Sequence, residues 1–120
     1  MDETKVIMQE LIAYAKTKTR ANVYYREDWE CEYFAVMNKC FGRMDQTYIT
    51  LKGDPLDNGA MREIYEDIIP GYYANKIHWN SIKLNTKELS IEDIKRMIDT
   101  SYDLVVKKLT KKEKMLLENK

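Results

Sequence analysis

The run CEYFAVMNKCFGRMDQTYITLK, residues 31–52, decides the fold of this chain of 120 residues. It is rich in aromatic and β-branched residues, and two polar pairs, Asn38-Lys39 and Asp45-Gln46, divide it as turns do. Apolar and polar residues alternate over 47–52, as in a strand with one buried face. We therefore predict an antiparallel meander with one wet face and strands over residues 31–37, 40–44 and 47–52.

Helical patterns lie on both sides of the meander. Residues 3–17 repeat apolar residues at the three-and-four spacing of one helical face, which predicts an N-terminal helix. Asp54 and Pro55 begin a middle helix, because aspartate caps helices and proline suits the first position. The interior Gly59 weakens this helix, so a start near Asn58 is the alternative. The break at residues 68–71, Ile-Ile-Pro-Gly, ends it.

The C-terminal half adds one strand and two helices. Residues 78–84 have the composition of a strand, and Ser90 with Asp93 forms a near relative of a capping box before a helical period that continues to Leu109. Thr110 and Glu113 form a full capping box, which predicts a short final helix. The predicted fold class is therefore α+β: an antiparallel β-sheet meander with N-terminal, middle and C-terminal helices packed on one face, in a single domain over residues 1–120.

Two shorter features complete the prediction. Residues 23–25, Val-Tyr-Tyr, are interpreted as a short lead-in strand. If Asn38-Lys39 is the hairpin turn, Cys31 faces Gln46 and lies well away from Cys40. We therefore predict two reduced thiols in or near the core.

Composition and charge restrict the class of protein. Lysine plus arginine and aspartate plus glutamate number 20 each, and this zero net charge argues against a strong electrostatic grip on nucleic acid by the whole domain. The lysine-rich residues 107–120 form a basic tail on a mildly acidic body. No apolar run approaches the roughly 20 residues of a membrane span, and the acidic N-terminus is unlike a signal peptide. We expect a cytoplasmic monomer or weak dimer without a membrane partner.

The sequence contains no catalytic or metal-binding motif. One histidine and two non-adjacent cysteines give no metal-ligand spacing. Acidic residues cluster over 27–32, but strand alternation would divide them between two faces. On a strand, His78 and Ser81 point to opposite faces, which denies a local nucleophile and base. We predict no catalytic residue, metal or cofactor, and expect a non-enzymatic protein.

Residues 70–84 concentrate the unusual residues of the chain, including the single histidine and one of the two tryptophans. The run Asn75-Lys76-Ile77-His78-Trp79-Asn80-Ser81-Ile82-Lys83-Leu84, followed by Ser101-Tyr102-Asp103-Leu104-Val105, resembles the MmcQ/YjbR family of small bacterial proteins. Trp29-Glu30-Cys31-Glu32 and Leu51-Lys52-Gly53-Asp54-Pro55 agree with the family in order. The resemblance implies a fold related in outline to that of CyaY, the bacterial frataxin homologue, and DNA binding through a double-wing arrangement.

Three functions follow as expectations. The first is DNA binding, with Arg43, Lys52 and other cations meeting phosphates. The second is a protein–protein interaction or adaptor role that uses an aromatic patch. The third is a small-ligand site around His78. The candidate residues for binding nucleic acid or a partner are Tyr72, Tyr73, Asn75, Lys76, His78, Trp79, Lys83, Lys107, Lys108, Lys111 and Lys112.

Overall fold

A computed structural model of the chain describes residues 3–71 and 74–118. Within these residues the chain forms four helices and six strands, in the order α1 (Glu3–Lys16), β1 (Ala21–Arg26), β2 (Cys31–Val36), β3 (Lys39–Met44), β4 (Tyr48–Lys52), α2 (Pro55–Ile64), β5 (Ile68–Pro70), β6 (Trp79–Lys83), α3 (Ile91–Lys107) and α4 (Lys111–Glu118).

All six strands belong to one antiparallel sheet with the order β1-β2-β3-β4-β6-β5. The first four strands are the meander, β6 pairs with β4, and β5 pairs with β6. The strands β1 and β5 therefore form the two edges. The predicted α+β class is confirmed.

The core lies between the sheet and the helices α1 and α3. Ile49 and Leu51 of β4 and Ile82 of β6 point to it, and they are buried with Leu11 of α1 and Ile98 of α3. The helix α2 packs against β5 and β6. These three helices thus lie on one face of the sheet, and the short helix α4 lies beside Asn22 and Tyr24 of β1, which point to the other face.

The caps lie where the sequence predicts them. Asp54 caps α2 and accepts hydrogen bonds from the N–H groups of Leu56 and Asp57. A reciprocal capping box of Ser90 and Asp93 begins α3. The helix α2 starts at Pro55 although Gly59 lies inside it.

The predicted hairpin turn is wrong by one residue. Val36 pairs with Lys39, so the turn residues are Met37 and Asn38, and both have positive φ, 50° and 64°. A bulge between residues 34 and 35 then shifts the register, and Glu32 pairs with Met44. The predicted pairing of Cys31 with Gln46 is therefore wrong. Both cysteines are free, with Cys31 buried and Cys40 half-buried.

Three segments differ from the predicted elements. The helix α2 ends at Ile64, because Tyr65 is extended and residues 68–70 pair with β6 as β5. The lead-in of residues 23–25 is part of a six-residue strand, β1. Residues 27–30 form a turn, so the acidic residues there do not alternate across a strand. None of the helices in the described residues is long and apolar enough to span a membrane.

Candidate nucleic-acid interface

Asn75 holds the tight turn that leads into β6. Its side-chain Oδ1 accepts hydrogen bonds from the N–H groups of Ile77 (2.9 Å) and His78 (3.2 Å). Its backbone carbonyl accepts a third from the N–H of Trp79 (3.0 Å). An asparagine side chain that bonds the backbone two residues ahead is a common turn device. Asn75 therefore has a structural role here.

The backbone carbonyls of this turn are fixed by α2 and the loop before it. Three donors each bond one carbonyl: Arg62 Nη1 donates to Lys76 O (2.7 Å), Asn58 Nδ2 to Ile77 O (3.2 Å), and the Gly53 N–H to His78 O (2.9 Å). The turn is thus held by its main chain, which leaves the side chains of Lys76 and His78 outside these bonds.

A buried asparagine links the same turn to α2 from within β6. Asn80 is 2% exposed; its Nδ2 donates to Asn58 O (3.2 Å), and its Oδ1 accepts from Arg62 Nη1 (3.0 Å). A buried amide satisfied at both ends specifies one arrangement of the elements around it. The family-like run over residues 75–80 is therefore a folding signature, and the ligand site around His78 stays a prediction.

Strand alternation places the other residues of β6 on the side of the sheet opposite α1, α2 and α3. Trp79, Ser81 and Lys83 pair in register with Lys52, Thr50 and Tyr48, all of which alternate with core residues. We call this side the open face. Its members include Asn22, Tyr24 and Arg26 of β1, Tyr33 of β2, Arg43 of β3, Tyr48, Thr50 and Lys52 of β4, Trp79, Ser81 and Lys83 of β6, and Trp29 of the β1–β2 turn.

Two hydroxyl groups form the floor of the open face. Thr50 Oγ1 and Ser81 Oγ lie 2.6 Å apart, and both residues are buried. The larger side chains around them therefore stand higher than this pair. The open face therefore has a polar floor.

Aromatic rings and guanidinium groups are stacked at one side of the open face. Trp29 is 50% exposed, and its ring centroid lies 5.1 Å from Arg43 Cζ and 5.8 Å from Arg26 Cζ. Arg26 also lies 5.0 Å from the ring of Tyr33, which is 5.6 Å from the ring of Tyr24. These separations are within the range of cation–π and aromatic pairing. We call Tyr24, Arg26, Trp29, Tyr33 and Arg43 the aromatic-cation cluster.

The charge of the cluster is partly balanced. Arg26 forms a two-pronged ion pair with Asp28, from Nη2 to Oδ2 (2.7 Å) and from Nε to Oδ1 (3.2 Å). The pKa of Tyr33 is raised to about 12, mainly by burial and to a lesser extent by a hydrogen bond with Cys40. Its phenol is therefore neutral at physiological pH. Burial also raises the pKa of the Cys31 thiol, which disfavours the nucleophilic thiolate.

A cleft of about 250 Å³ adjoins the cluster. Trp29 and Arg43 line it together with Tyr48 and the floor residue Thr50. An indole, a guanidinium and a phenol around one cleft present surfaces on which a planar ring can stack. Among the described residues, no group of three or more histidine, cysteine or acidic side chains is arranged to hold a metal ion.

The structure brings only some of the candidate residues together. Trp79, half-buried, and Lys83, exposed, share the open face. Lys108 lies beside Lys52, and Lys112 lines a cleft with Tyr24 near the start of β1. The rest lie elsewhere: Asn75, Lys76 and His78 in the turn before β6, and Lys107 and Lys111 outside both clefts. Tyr72 and Tyr73 lie outside the described residues.

Sequence reasoning missed the aromatic-cation cluster apart from Arg43. A signal was present, because Tyr24 and Arg26 alternate along β1, and Tyr33 and Arg43 occupy positions that face the same side once the register is known. Trp29 gave no periodic signal, because it lies in a turn.

The comparisons with known proteins agree with this fold. The family model described as YjbR matches residues 18–104. YjbR of Escherichia coli strain K12, described as uncharacterised, is 25% identical over 114 residues, which are 92% of this chain and 96% of that protein. YbdF of Escherichia coli O157:H7, also described as uncharacterised, is 38% identical over 66 residues, 55% of this chain, and the match spans about half (53%) of YbdF.

Two solved structures share the fold of this chain. The crystal structure of Deinococcus radiodurans protein DR2400, with its DUF419 domain, superimposes with a TM-score of 0.82 at 26% identity, over 92% of this chain and 87% of that one. A Pseudomonas syringae protein has the same fold, with a TM-score of 0.68 at 23% identity over 87% of this chain and 98% of that one. These similarities support the fold and indicate no activity.

Proposed function

This chain belongs to the YjbR family, and from the surface that its fold leaves open we propose that it binds single-stranded nucleic acid, DNA in the first instance. The observation that carries the proposal is the composition of the open face. Exposed aromatic rings and cationic side chains lie together on a side of the sheet that the helices α1–α3 do not cover.

The chemistry of an unpaired strand fits this composition. Bases that are free of a duplex stack on exposed aromatic side chains, and sheets that present such side chains are a recurring platform for them. Trp29 (50% exposed) and Tyr24 (42% exposed) supply rings, and Arg43 and Lys83 supply charge for the phosphates. The bases of a duplex are stacked on one another and would present only their edges to these rings. The proposal is therefore for single strands.

Zero net charge does not oppose this function, since the relevant charge is local. The open face carries Arg43, Lys52 and Lys83, and two carboxylates, Glu30 and Asp45, line the cleft beside Trp29 and Arg43. Affinity is then expected to be moderate, with stacking contributing more than the phosphate contacts.

Two neighbouring tyrosines provide a matched test. Tyr24 pairs with Tyr33 on the open face, whereas Tyr25 pairs with Glu32 and points to the opposite side. They are 42% and 55% exposed. Fluorescence anisotropy of a labelled oligo-dT, titrated with the full chain at low salt, would be measured for Tyr24→Ala, Trp29→Ala and Tyr25→Ala.

We expect Tyr24→Ala and Trp29→Ala each to weaken binding about tenfold, since stacking contributes about 1–3 kcal/mol per base. Tyr25→Ala should leave the affinity unchanged. Circular dichroism would verify that each variant is folded. Absence of binding by the parent chain at low salt, or equal losses for Tyr24→Ala and Tyr25→Ala, would reject the proposal.

The same surface also suits a protein partner. Tryptophan, tyrosine and arginine are the residue types that dominate binding hot spots, and Trp29 contacts both Arg26 and Arg43. A partner that no longer binds Trp29→Ala, together with no affinity for oligonucleotides, would favour this second function.

A further inference from the structure

Three lysines from distant parts of the chain converge at one end of the sheet. The strand β3 begins at Lys39 and β4 ends at Lys52, and because β3 and β4 are antiparallel neighbours these ends lie together. The helix α3 packs on both strands, and its C-cap residue, Lys108, lies at the same end. The topology, rather than any local sequence pattern, brings the three side chains together.

The lysines surround a notch of about 320 Å³. Its lining consists of Lys39, Cys40, Lys52, Val105, Lys108 and Leu109, with no carboxylate among them. Val105 and Leu109 are buried, so the wall behind the cations is apolar. Glu113 is close enough to Lys39 to feel its charge, but its Oε1 accepts the N–H of Thr110 (2.9 Å) and it does not line the notch.

Lys52 is in an unfavourable position for a cation. Its side chain is half-buried, and burial together with the charge of Lys108 lowers its pKa. No carboxylate acts on this ammonium group among the causes of the shift. Like charges held together in a partly dry notch are stabilised by an anion placed between them.

Helix-dipole complementarity explains only one of the three lysines. A cation at a helix C-terminus is favourable, which accounts for Lys108 at the end of α3. Lys39 and Lys52 lie at strand ends, where no such benefit exists. Their convergence on Lys108 therefore makes the notch suited to a ligand of opposite charge.

We propose that this notch binds a phosphate monoester through Lys39, Lys52 and Lys108, and that on a bound strand it holds the terminal phosphate. The second part rests on the proposed function. Lys52 pairs directly with Trp79, so the notch adjoins the open face at the end of the sheet. A phosphate monoester carries about −1.5 to −2 charges at pH 7, more than a phosphodiester, which suits a site with three cations.

The test compares strands that differ only at their end. Oligo-dT with a 5′ phosphate, a 3′ phosphate or hydroxyl groups at both ends would be titrated with the full chain by fluorescence anisotropy. Thymidine monophosphate and inorganic phosphate would be titrated separately and followed by backbone amide chemical shifts. The variants are Lys52→Met and Lys108→Met, and the matched control is Lys107→Met, which changes an exposed lysine outside the notch.

We expect one of the phosphorylated strands to bind about tenfold more tightly than the hydroxyl strand, as a few charge-assisted hydrogen bonds provide. Lys108→Met should abolish this preference while retaining affinity for the hydroxyl strand, because Lys108 is not part of the open face. Lys52→Met should abolish the preference and also weaken the hydroxyl strand modestly, because Lys52 belongs to the open face as well. Lys107→Met should preserve the preference. Free phosphate should shift amides at residues 39–40, 52 and 108–109.

The other outcomes separate the two proposals. Equal affinity for all three strands, or a preference that persists in Lys52→Met, would overturn this inference and leave the proposed function in place. Absence of binding to any strand, with phosphate-dependent shifts at the notch that Lys52→Met removes, would overturn the proposed function and support the notch as a site for free phosphate.

Discussion

The main chain of Lys52 contributes to the fold, whereas its side chain does not. Its N–H donates to Ser101 Oγ (2.9 Å), and Ser101 in turn donates to the carbonyl of Phe41, so that α3 is tied to two strands. Its ammonium group enters the notch beside Lys108. Because only the main chain is used in the fold, the side chain can be replaced without breaking the core.

We predict that Lys52→Met stabilises the protein. The pKa of Lys52 is lowered, so its charged form is disfavoured in the folded state at every pH below that pKa, including neutral pH. Removing the charge should raise the free energy of unfolding by about 0.5 kcal/mol, the scale of partly exposed charge pairs. Urea unfolding at low salt measures this gain, and 1 M salt should diminish the part that comes from repulsion by Lys108, through screening. Destabilisation at low salt would contradict the electrostatic explanation.

The elements are held by local devices whose sequence signals are unequal. The helix α3 has a capping box and a continuous apolar period, whereas β5 has three residues and no alternation. Residues at the junctions between elements also hold the fold together. Gly71 is an example, since its N–H donates to Trp79 O (2.8 Å) where the chain leaves β5.

Two glycines should respond in opposite directions to alanine. A Cβ at Gly71 would lie 2.7 Å from Trp79 Cβ and 3.0 Å from Trp79 O, whereas one at Gly59, inside α2, would have nothing within 4 Å. We expect Gly71→Ala to destabilise by about 1–3 kcal/mol, as overpacking does. Gly59→Ala should stabilise by about 0.5–1 kcal/mol through helix propensity. Chemical denaturation measures both, and a stabilising Gly71→Ala would show that the strand junction can relax.

The capping boxes predict how stability depends on acid pH. Asp93 Oδ2 accepts the N–H of Ser90 (2.9 Å), and this bond holds the pKa of the carboxyl below its usual value. A lowered pKa contributes stability above the unfolded-state value of about 4, and this contribution is lost as the pH falls through the folded-state pKa. Asp93→Asn should therefore be less stable than the parent chain at pH 7, with the difference closing towards pH 3.

Thermal melts between pH 3 and pH 7 measure this convergence. Glu63→Gln provides the control, because it makes the same carboxylate-to-amide change at an exposed position on α2. Any change in stability that it causes does not depend on the cap of α3. A gap for Asp93→Asn that stays constant with pH would mean that the charge of Asp93 contributes nothing to the cap.

At the scale of the whole molecule, a neutral chain divides into a helical side and an open side. The helices bury the apolar face of the sheet, and the other face keeps rings and cations above a hydroxyl floor. At one end of the sheet three cations, Lys39, Lys52 and Lys108, surround the notch. Net charge therefore describes this molecule poorly as a partner for polyanions.

Salt dependence should distinguish the charged from the stacking residues of the open face. For single strands, each phosphate that a cation neutralises adds about 0.7 to the steepness of log affinity against log salt. Lys83→Gln should therefore flatten the slope by about 0.7, because it removes one exposed cation. Trp29→Ala should lower the affinity at every salt concentration with the slope unchanged. Equal slopes for Lys83→Gln and the parent chain would exclude Lys83 from direct interaction with phosphate.

Local signals made the helices and their caps predictable, and long-range register limited the rest. Asp54 and Ser90 act within one helical turn, so sequence alone places them. Met37 adopts positive φ only because the hairpin requires it, and this moved the turn by one residue. The aromatic-cation cluster depends on strand pairing and on a turn that brings Trp29 over Arg43. No local period encodes such an arrangement.

The two edges of the sheet differ in their capacity to accept another strand. The β5 edge is three residues long and ends in Pro70, which has no N–H to donate, so a further chain finds little to pair with there. The β1 edge is six residues long and carries no proline. Growth of the sheet by strand addition, whether in self-association or in aggregation during folding, is therefore directed to β1.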